Sequence, residues 1–182
     1  MKFINYSIAW AKGEQFEGLS IAIGGIIVLL VTFLLWKFGT TENAKSLVTP
    51  SLVLGLLFSL MGAYMVYSNG QRQVAFQQAY EQDSEQFMVA EKKRVEAFQF
   101  MYPTSLVISA LCFLLTTIAF VLSKNPNFHA VGIVLSVFGL SLIVIDYFSK
   151  ERAAIYYEQI LQYLHIWKWN PFKTGKFRQI IS

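Results

Sequence analysis

Residues able to do chemistry are few in this chain, and the sequence keeps them apart. His129 lies in a short connector between two apolar stretches, whereas His165 lies in the C-terminal segment. A metal site or an acid–base pair requires such groups to converge, and the predicted topology puts these two on opposite sides of a membrane. The sequence has no glycine-rich phosphate loop, no cluster of metal-ligand residues and no nucleophile with a partner base. We therefore expect no enzymatic activity, no cofactor and no metal site.

Asp146 is the only acidic residue in the context of an apolar stretch. Proton- or ion-coupled carriers keep ionisable groups at membrane depth, so this residue is a candidate intramembrane polar site. It lies about one helical turn from Lys150, and a salt bridge to Lys150 or hydration at the interface explains it without transport. Cys112 is the single cysteine, which excludes an intrachain disulfide.

Four stretches without a charged side chain dominate the chain, and each is long enough to cross a bilayer as a helix. They are Gly18–Trp36, Ser46–Gln71, Ala97–Ser123 and Asn125–Ile145. The composition agrees: 55% of the residues are hydrophobic and 14% are charged, against about 45–50% and about 25% in soluble domains. We predict an all-α integral membrane protein, one membrane domain over 1–182, with spans at about 18–37, 47–68, 104–123 and 129–148.

The distribution of Lys and Arg predicts the orientation of the spans. Twelve of these residues lie before the first span, in the middle connector or after the fourth span, and three lie in the other two connectors. Because cationic loops stay in the cytoplasm, we expect both termini and the middle connector there, in a bacterial inner membrane. The outer connectors contain Gly39–Asn43 and Asn125–Asn127, which predict tight turns and two antiparallel hairpins. Pro50 is expected in the first turn of its helix.

The middle connector, about 69–102, is expected to form a helical hairpin. It has no Gly or Pro between Arg72 and Glu96, and opposite charges recur at helical spacing. A turn is expected near Asp83-Ser84, and Pro103 should bend the returning helix into the third span. The apolar residues form a patchy stripe, so we expect most of this hairpin to be solvated. It is either a solvated linker or a partner-binding stalk.

Small residues four positions apart occur in every span. Such pairs let helix backbones approach closely in lipid, within one chain or between chains. The helix-packing candidates are Ser20, Gly24, Gly55, Ser59, Ser105, Ser109, Gly132 and Ser136. The halves also align at an offset of about 80 residues, which pairs Val53-Leu54-Gly55 with Val134-Leu135-Ser136. Either duplication of a two-span hairpin or chance explains that alignment.

Basic and aromatic residues mark the C-terminal segment, about 150–182. Tyr156, Ile160, Tyr163 and Trp167 recur at helical spacing, and we expect an amphipathic helix lying on anionic inner-leaflet lipids. Nucleic-acid binding explains the same charge less well next to a membrane span, and none is expected. The membrane-surface candidates are Trp167, Lys168, Trp169, Lys173, Lys176 and Arg178.

The function expected from the sequence is non-enzymatic. A polytopic protein with few chemical groups can act through protein–protein contacts in or at the bilayer, with a membrane-protein partner or by self-association. Assembly, regulatory, immunity and exclusion-type roles fit this description. The alternative is an oligomeric pore or a small transporter subunit, in which each chain contributes a hydroxyl-bearing helix to a shared lumen.

Overall fold

The computed structural model describes residues 3–168, and within that range it contains five α-helices. They are α1 (Phe3–Phe38), α2 (Glu42–Gln82), α3 (Ser84–Phe98), α4 (Met101–Leu122) and α5 (Pro126–Lys168). Four helical segments are long and apolar enough to cross a membrane: α1, α2, Ser84–Leu122 and Pro126–His165. The protein is therefore an integral membrane protein that is all-helical over residues 3–168, with four candidate spans in that range, as the sequence predicted.

Local side-chain chemistry explains where the helices begin. The side chain of Thr41 accepts a hydrogen bond from the backbone of Ala44 at 3.2 Å and so caps α2. Asp83 ends α2, and its carboxylate accepts bonds from the backbone nitrogens of Glu85 and Gln86 at 3.0 and 2.9 Å, which starts α3. The break between these two helices thus lies at the expected Asp83-Ser84 position.

Pro50 lies deeper in its helix than the sequence analysis expected. Because α2 already begins at Glu42, Pro50 is in its third turn rather than its first. Proline has no backbone N–H, so the carbonyl of Ser46 lacks its usual helical donor. Because Thr41 caps α2, the helix begins at Glu42, upstream of the start that Pro50 alone indicated.

The helices pack as two pairs that meet in the middle. α1 packs along α2, and α4 packs along α5, while the contact between α2 and α5 joins the pairs. An apolar cluster within the candidate spans fills this junction: Ile21, Leu54 and Phe58, with Val134, Phe138 and Ile145 packed against them.

A second core lies beyond the charge-free stretches, where α1, α2, α3 and α5 extend together. We call it the aromatic cluster; it comprises Phe3, Trp10, Ala11, Phe76, Phe87, Met88, Val95, Tyr156 and Ile160. Phe3 and Ile160 are 1% and 0% exposed. One face of the middle connector is therefore packed into the fold, whereas most of its residues, such as Gln77 and Glu85, are exposed, as the sequence predicted. The ends of α1, α2, α3 and α5 each contribute a narrow stripe of apolar residues to this core. The stripes of α2 and α3 are too narrow to form a core by themselves.

The C-terminal segment differs from the expectation over its described part. α5 continues without a break from its apolar part to Lys168, and Tyr156 and Ile160 face the aromatic cluster rather than a membrane surface. The side chains of Trp167 and Lys168 lie outside the described structure, as do Trp169, Lys173, Lys176 and Arg178. Lipid docking by those residues stays a prediction.

Candidate functional site

Backbones of α1 and α2 approach closely along a seam of small residues. A Cβ atom added at Gly18 would lie 2.6 Å from the Cβ of Met65, and one added at Gly62 would lie 2.5 Å from the carbonyl oxygen of Gly18. An added Cβ at Gly25 would overlap the backbone nitrogen of Ser59. The seam therefore requires glycine, because a larger side chain would force the two backbones apart.

The α4–α5 pair has a looser seam of small residues with hydrogen bonds across it. The hydroxyl of Thr116 lies 2.7 Å from the carbonyl oxygen of Gly132, and it accepts a bond from the Ser136 hydroxyl at 3.0 Å. Further along, a Cβ added at Gly139 would lie 3.3 Å from the carbonyl oxygen of Ser109, which is fully buried. Polar contacts of this kind hold membrane helices together where hydrophobic burial gives little.

The two seams use one pattern of small residues, with a serine four positions after the first glycine and a second glycine three positions later. The pattern consists of Gly55, Ser59 and Gly62 in α2 and of Gly132, Ser136 and Gly139 in α5. These equivalent seam positions give an offset of 77 residues, whereas the sequence alignment at about 80 paired Gly55 with Ser136. The small-residue pattern thus aligns the halves in a different register from the one given by apolar matches, and duplication of a hairpin stays a prediction.

Ser20 and Gly24 do not face the seam. A Cβ added at Gly24 would meet no atom within 4 Å, and Ser20 is exposed with its hydroxyl bonded to the carbonyl oxygen of Phe16 at 3.0 Å. The packing face of α1 instead contains Gly18 and Gly25. On α4, Ser105 is half-buried and donates to the carbonyl oxygen of Tyr102, whereas Ser109 faces α5.

A groove opens between α1 and α5 on the face that carries Ser20 and Gly24. We call it the α1–α5 groove; it has a volume of about 570 Å³, and its lining includes Phe16, Ser20 and Gly24 from α1 and Val144, Phe148 and Arg152 from α5. Most of the lining is apolar, and charge occurs only at the end nearest the aromatic cluster. The groove therefore combines an open small-residue helix face with a charged end.

Arg152 closes that end by pairing with two acidic residues of α1. Its guanidinium donates to Glu14 at 3.2 Å and to Glu17. Glu14 and Glu17 are only 6% and 9% exposed, so this guanidinium is the counter-charge that permits their burial. The three groups tie the start of the first span to the end of the fourth.

The aromatic cluster encloses a second polar network. The hydroxyl of Tyr156 lies 2.9 Å from the Ser7 hydroxyl and 2.8 Å from a carboxylate oxygen of Glu91. Glu91 also accepts two bonds from Arg94, at 2.8 and 2.5 Å. The guanidinium of Arg94 lies 4.4 Å from the ring centre of Trp10, which stacks on Tyr156 at 5.6 Å. This network joins α1, α3 and α5.

Burial and the charges of neighbouring groups together set the protonation of this network. It raises the pKa of Tyr156, and the adjacent Glu91 carboxylate raises that pKa further. Burial by itself lowers the pKa of Arg94, but its hydrogen bonds to Glu91 and the charge of that carboxylate raise it on balance. Burial lowers the pKa of Arg72, and the charge of Arg94 lowers it further. The Tyr156 hydroxyl thus stays protonated and remains a hydrogen-bond donor.

Removing the Tyr156 hydroxyl should destabilise the cluster. We expect Tyr156→Phe to lower the free energy of unfolding by about 1–3 kcal/mol, because a buried carboxylate loses a donor. The neighbouring Tyr157 donates to Glu96 at an exposed position, so Tyr157→Phe should leave the unfolding midpoint unchanged. Thermal unfolding in detergent micelles measures both variants. Equal midpoints for Tyr156→Phe and the parent would show that the Tyr156 hydroxyl adds nothing to stability.

Asp146 is half-buried in α5. The ion pairs among the described residues join Arg152 to Glu14 and Glu17, Arg94 to Glu91 and Lys92 to Glu96. A salt bridge between Asp146 and Lys150, one of the two explanations open from the sequence, is not among them. Within residues 3–168, no group of three His, Cys, Asp or Glu side chains is arranged to hold a metal ion.

Comparisons with known proteins add no relationship. No family model, no curated protein and no solved structure matches this chain.

Sequence reasoning missed the pairing of Arg152 with α1. Glu14 and Glu17 lie on one helical face just before the first span, which is a local signal for a paired site. Their partner is more than 130 positions away along the chain, and nothing in the spacing identifies it. Only the packing of α1 against α5 brings these charges together.

Proposed function

We propose that this protein is a non-enzymatic protein of the bacterial inner membrane that acts through protein–protein contacts within the bilayer. An assembly, regulatory, immunity or exclusion-type role fits such contacts. The observation that carries the proposal is the open face of α1 at Ser20 and Gly24, which borders the α1–α5 groove. This face is available for close approach by another helix.

The way helices pack in a bilayer favours a helix as the partner of this face. Where small residues already pack, as at Gly18 and Gly25, the chain uses them to bring backbones together. Ser20 and Gly24 have the same character, but no helix within residues 3–168 packs against Gly24. A transmembrane helix of a partner or of a second copy would gain dispersion contacts there that flexible acyl chains supply poorly.

The proposed orientation follows from charge. The helix pairs would be two antiparallel hairpins, with both termini and the segment 69–102 in the cytoplasm, because the basic residues concentrate there. The basic tail beyond Lys168 would contact anionic lipids of the same leaflet. Labelling of a cysteine introduced at Ser84 by an impermeant reagent, in intact cells, would contradict this orientation.

Enlarging Gly24 tests the proposed contact directly. Gly24→Leu should weaken the capture of a membrane-protein partner at least tenfold while leaving the unfolding midpoint unchanged, because an added Cβ meets no atom of the chain within 4 Å. A photoreactive residue at Ser20 should crosslink to protein in native membranes. The same residue at Leu30, which is 59% exposed outside the groove, should crosslink mainly to lipid.

Two results would contradict the proposal. Unchanged partner capture by Gly24→Leu, with crosslinks at Ser20 going only to lipid, would mean that the groove faces the bilayer. Steady ion conductance of the purified protein in planar bilayers would instead favour an oligomeric pore.

A further inference from the structure

A second groove lies between α2 and α5, near the first residues of both helices. We call it the α2–α5 groove; it has a volume of about 610 Å³ and shares no lining residue with the α1–α5 groove. Its walls are apolar side chains, among them Val53, Leu57, Val131 and Phe138. Its polar lining residues, Lys45, Ser46, Thr49 and Asn127, come from the starts of the two helices. The groove is therefore amphipathic along its length.

The length of this groove matches one leaflet of a bilayer. Lys45 and Leu57 are twelve residues apart in α2, which corresponds to about 18 Å at 1.5 Å per residue. Half of a hydrocarbon core is about 15 Å thick. An acyl chain lying along Val53 and Leu57 would thus place its headgroup level with Lys45.

The polar end has the chemistry of a phosphate site. Among the described residues that line the groove, only Lys45 is charged, and its ammonium group offers three donors. The amide of Asn127 adds both a donor and an acceptor. Pro50 leaves the carbonyl of Ser46 without a helical donor, so that oxygen can accept a bond from a headgroup hydroxyl or ammonium. A wholly apolar occupant would leave these groups unused.

We propose that the α2–α5 groove binds one glycerophospholipid, with an acyl chain along its apolar walls and the lipid phosphate at Lys45. The positive charge of Lys45 at the polar end complements a phosphate, and the length of the groove matches a single leaflet. This site is independent of the helix contact proposed at Gly24. Bound in this position, the lipid would fill the cleft between the two helix pairs.

Native mass spectrometry tests the headgroup contact. The purified protein is released from micelles containing dioleoyl-phosphatidylglycerol or, in a parallel arm, dioleoylglycerol, which has no phosphate. We expect one retained phospholipid and no retained dioleoylglycerol. Lys45→Gln should weaken retention about fivefold, whereas Lys37→Gln, which removes a charge at the end of α1 outside the groove, should not. Equal retention by the two variants, or of the two lipids, would overturn the proposal.

Filling the groove with a larger side chain tests whether the phospholipid binds there. Val131→Trp places an indole inside the groove and should abolish retention of the phospholipid. Val121→Trp adds the same side chain at a position that is 74% exposed outside it and should have no effect. Unfolding midpoints of both variants verify that they fold. Retention by folded Val131→Trp would overturn the proposal, as would a photoreactive residue at Val131 that crosslinks to a second protein chain instead of lipid.

Discussion

Replacing Gly62 with Ala should lower the free energy of unfolding by about 1–3 kcal/mol, the usual range for overpacking. An added Cβ would meet the backbone of α1 at Ala22 and at Gly18, where the oxygen lies 2.5 Å away. Backbone atoms cannot rotate out of the way, so the two helices must separate and lose contacts along the seam. Chemical unfolding in detergent, followed by circular dichroism, measures the effect.

Gly70 provides a matched control in the same helix. A Cβ added there would lie 3.7 Å from the side-chain nitrogen of Gln15, an ordinary contact. Because Ala is favoured over Gly in a helix by about 1 kcal/mol, Gly70→Ala should leave stability unchanged or raise it. If Gly62→Ala and Gly70→Ala had the same effect, the close seam between α1 and α2 would be refuted.

Replacing Arg152 with Met should cost about 3 kcal/mol of stability. The substitution keeps much of the apolar stem but leaves Glu14 and Glu17 buried without a counter-charge, and breaking a buried ion pair on one side costs about 3–5 kcal/mol. The lower end of that range applies because the Arg152 side chain is 28% exposed. Urea unfolding of the protein in micelles provides the measurement.

Neutralising both acids at once separates charge from packing. In the triple variant, Glu14→Gln and Glu17→Gln accompany Arg152→Met, so no uncompensated charge remains. We expect most of the lost stability to return. A triple variant as unstable as Arg152→Met would show that the arginine acts through its packing, since the carboxylates would then be irrelevant.

These predictions also separate the structural glycines from the proposed contact site. Gly24 and Gly25 are adjacent, yet only Gly25 lies against α2. A substitution at Gly24 thus tests association, whereas one at Gly25 or Gly62 tests folding. The sequence offered no means to make this distinction, because glycines occur on both faces of α1.

The sequence by itself determined the class of the protein and the number of candidate spans. Each span is a local property, because a helix of about 20 apolar residues satisfies its own backbone hydrogen bonds in lipid. The break at Asp83 is also local, since an aspartate side chain caps the following helix. Gly55 and Ser59 were candidate packing residues for the same reason, as small residues at a fixed spacing share one helix face.

Only the tertiary structure decided which faces meet. Ser20 and Gly24 were the packing candidates on α1, yet Gly18 and Gly25 are the residues that lie against α2. The polar network at Tyr156 and the pairing of Arg152 with Glu17 join residues more than 60 positions apart. Burial of the aromatic cluster needs four helix extensions at once, so no single stretch could reveal it. Those features depend on the relative positions of distant segments, which local spacing does not encode.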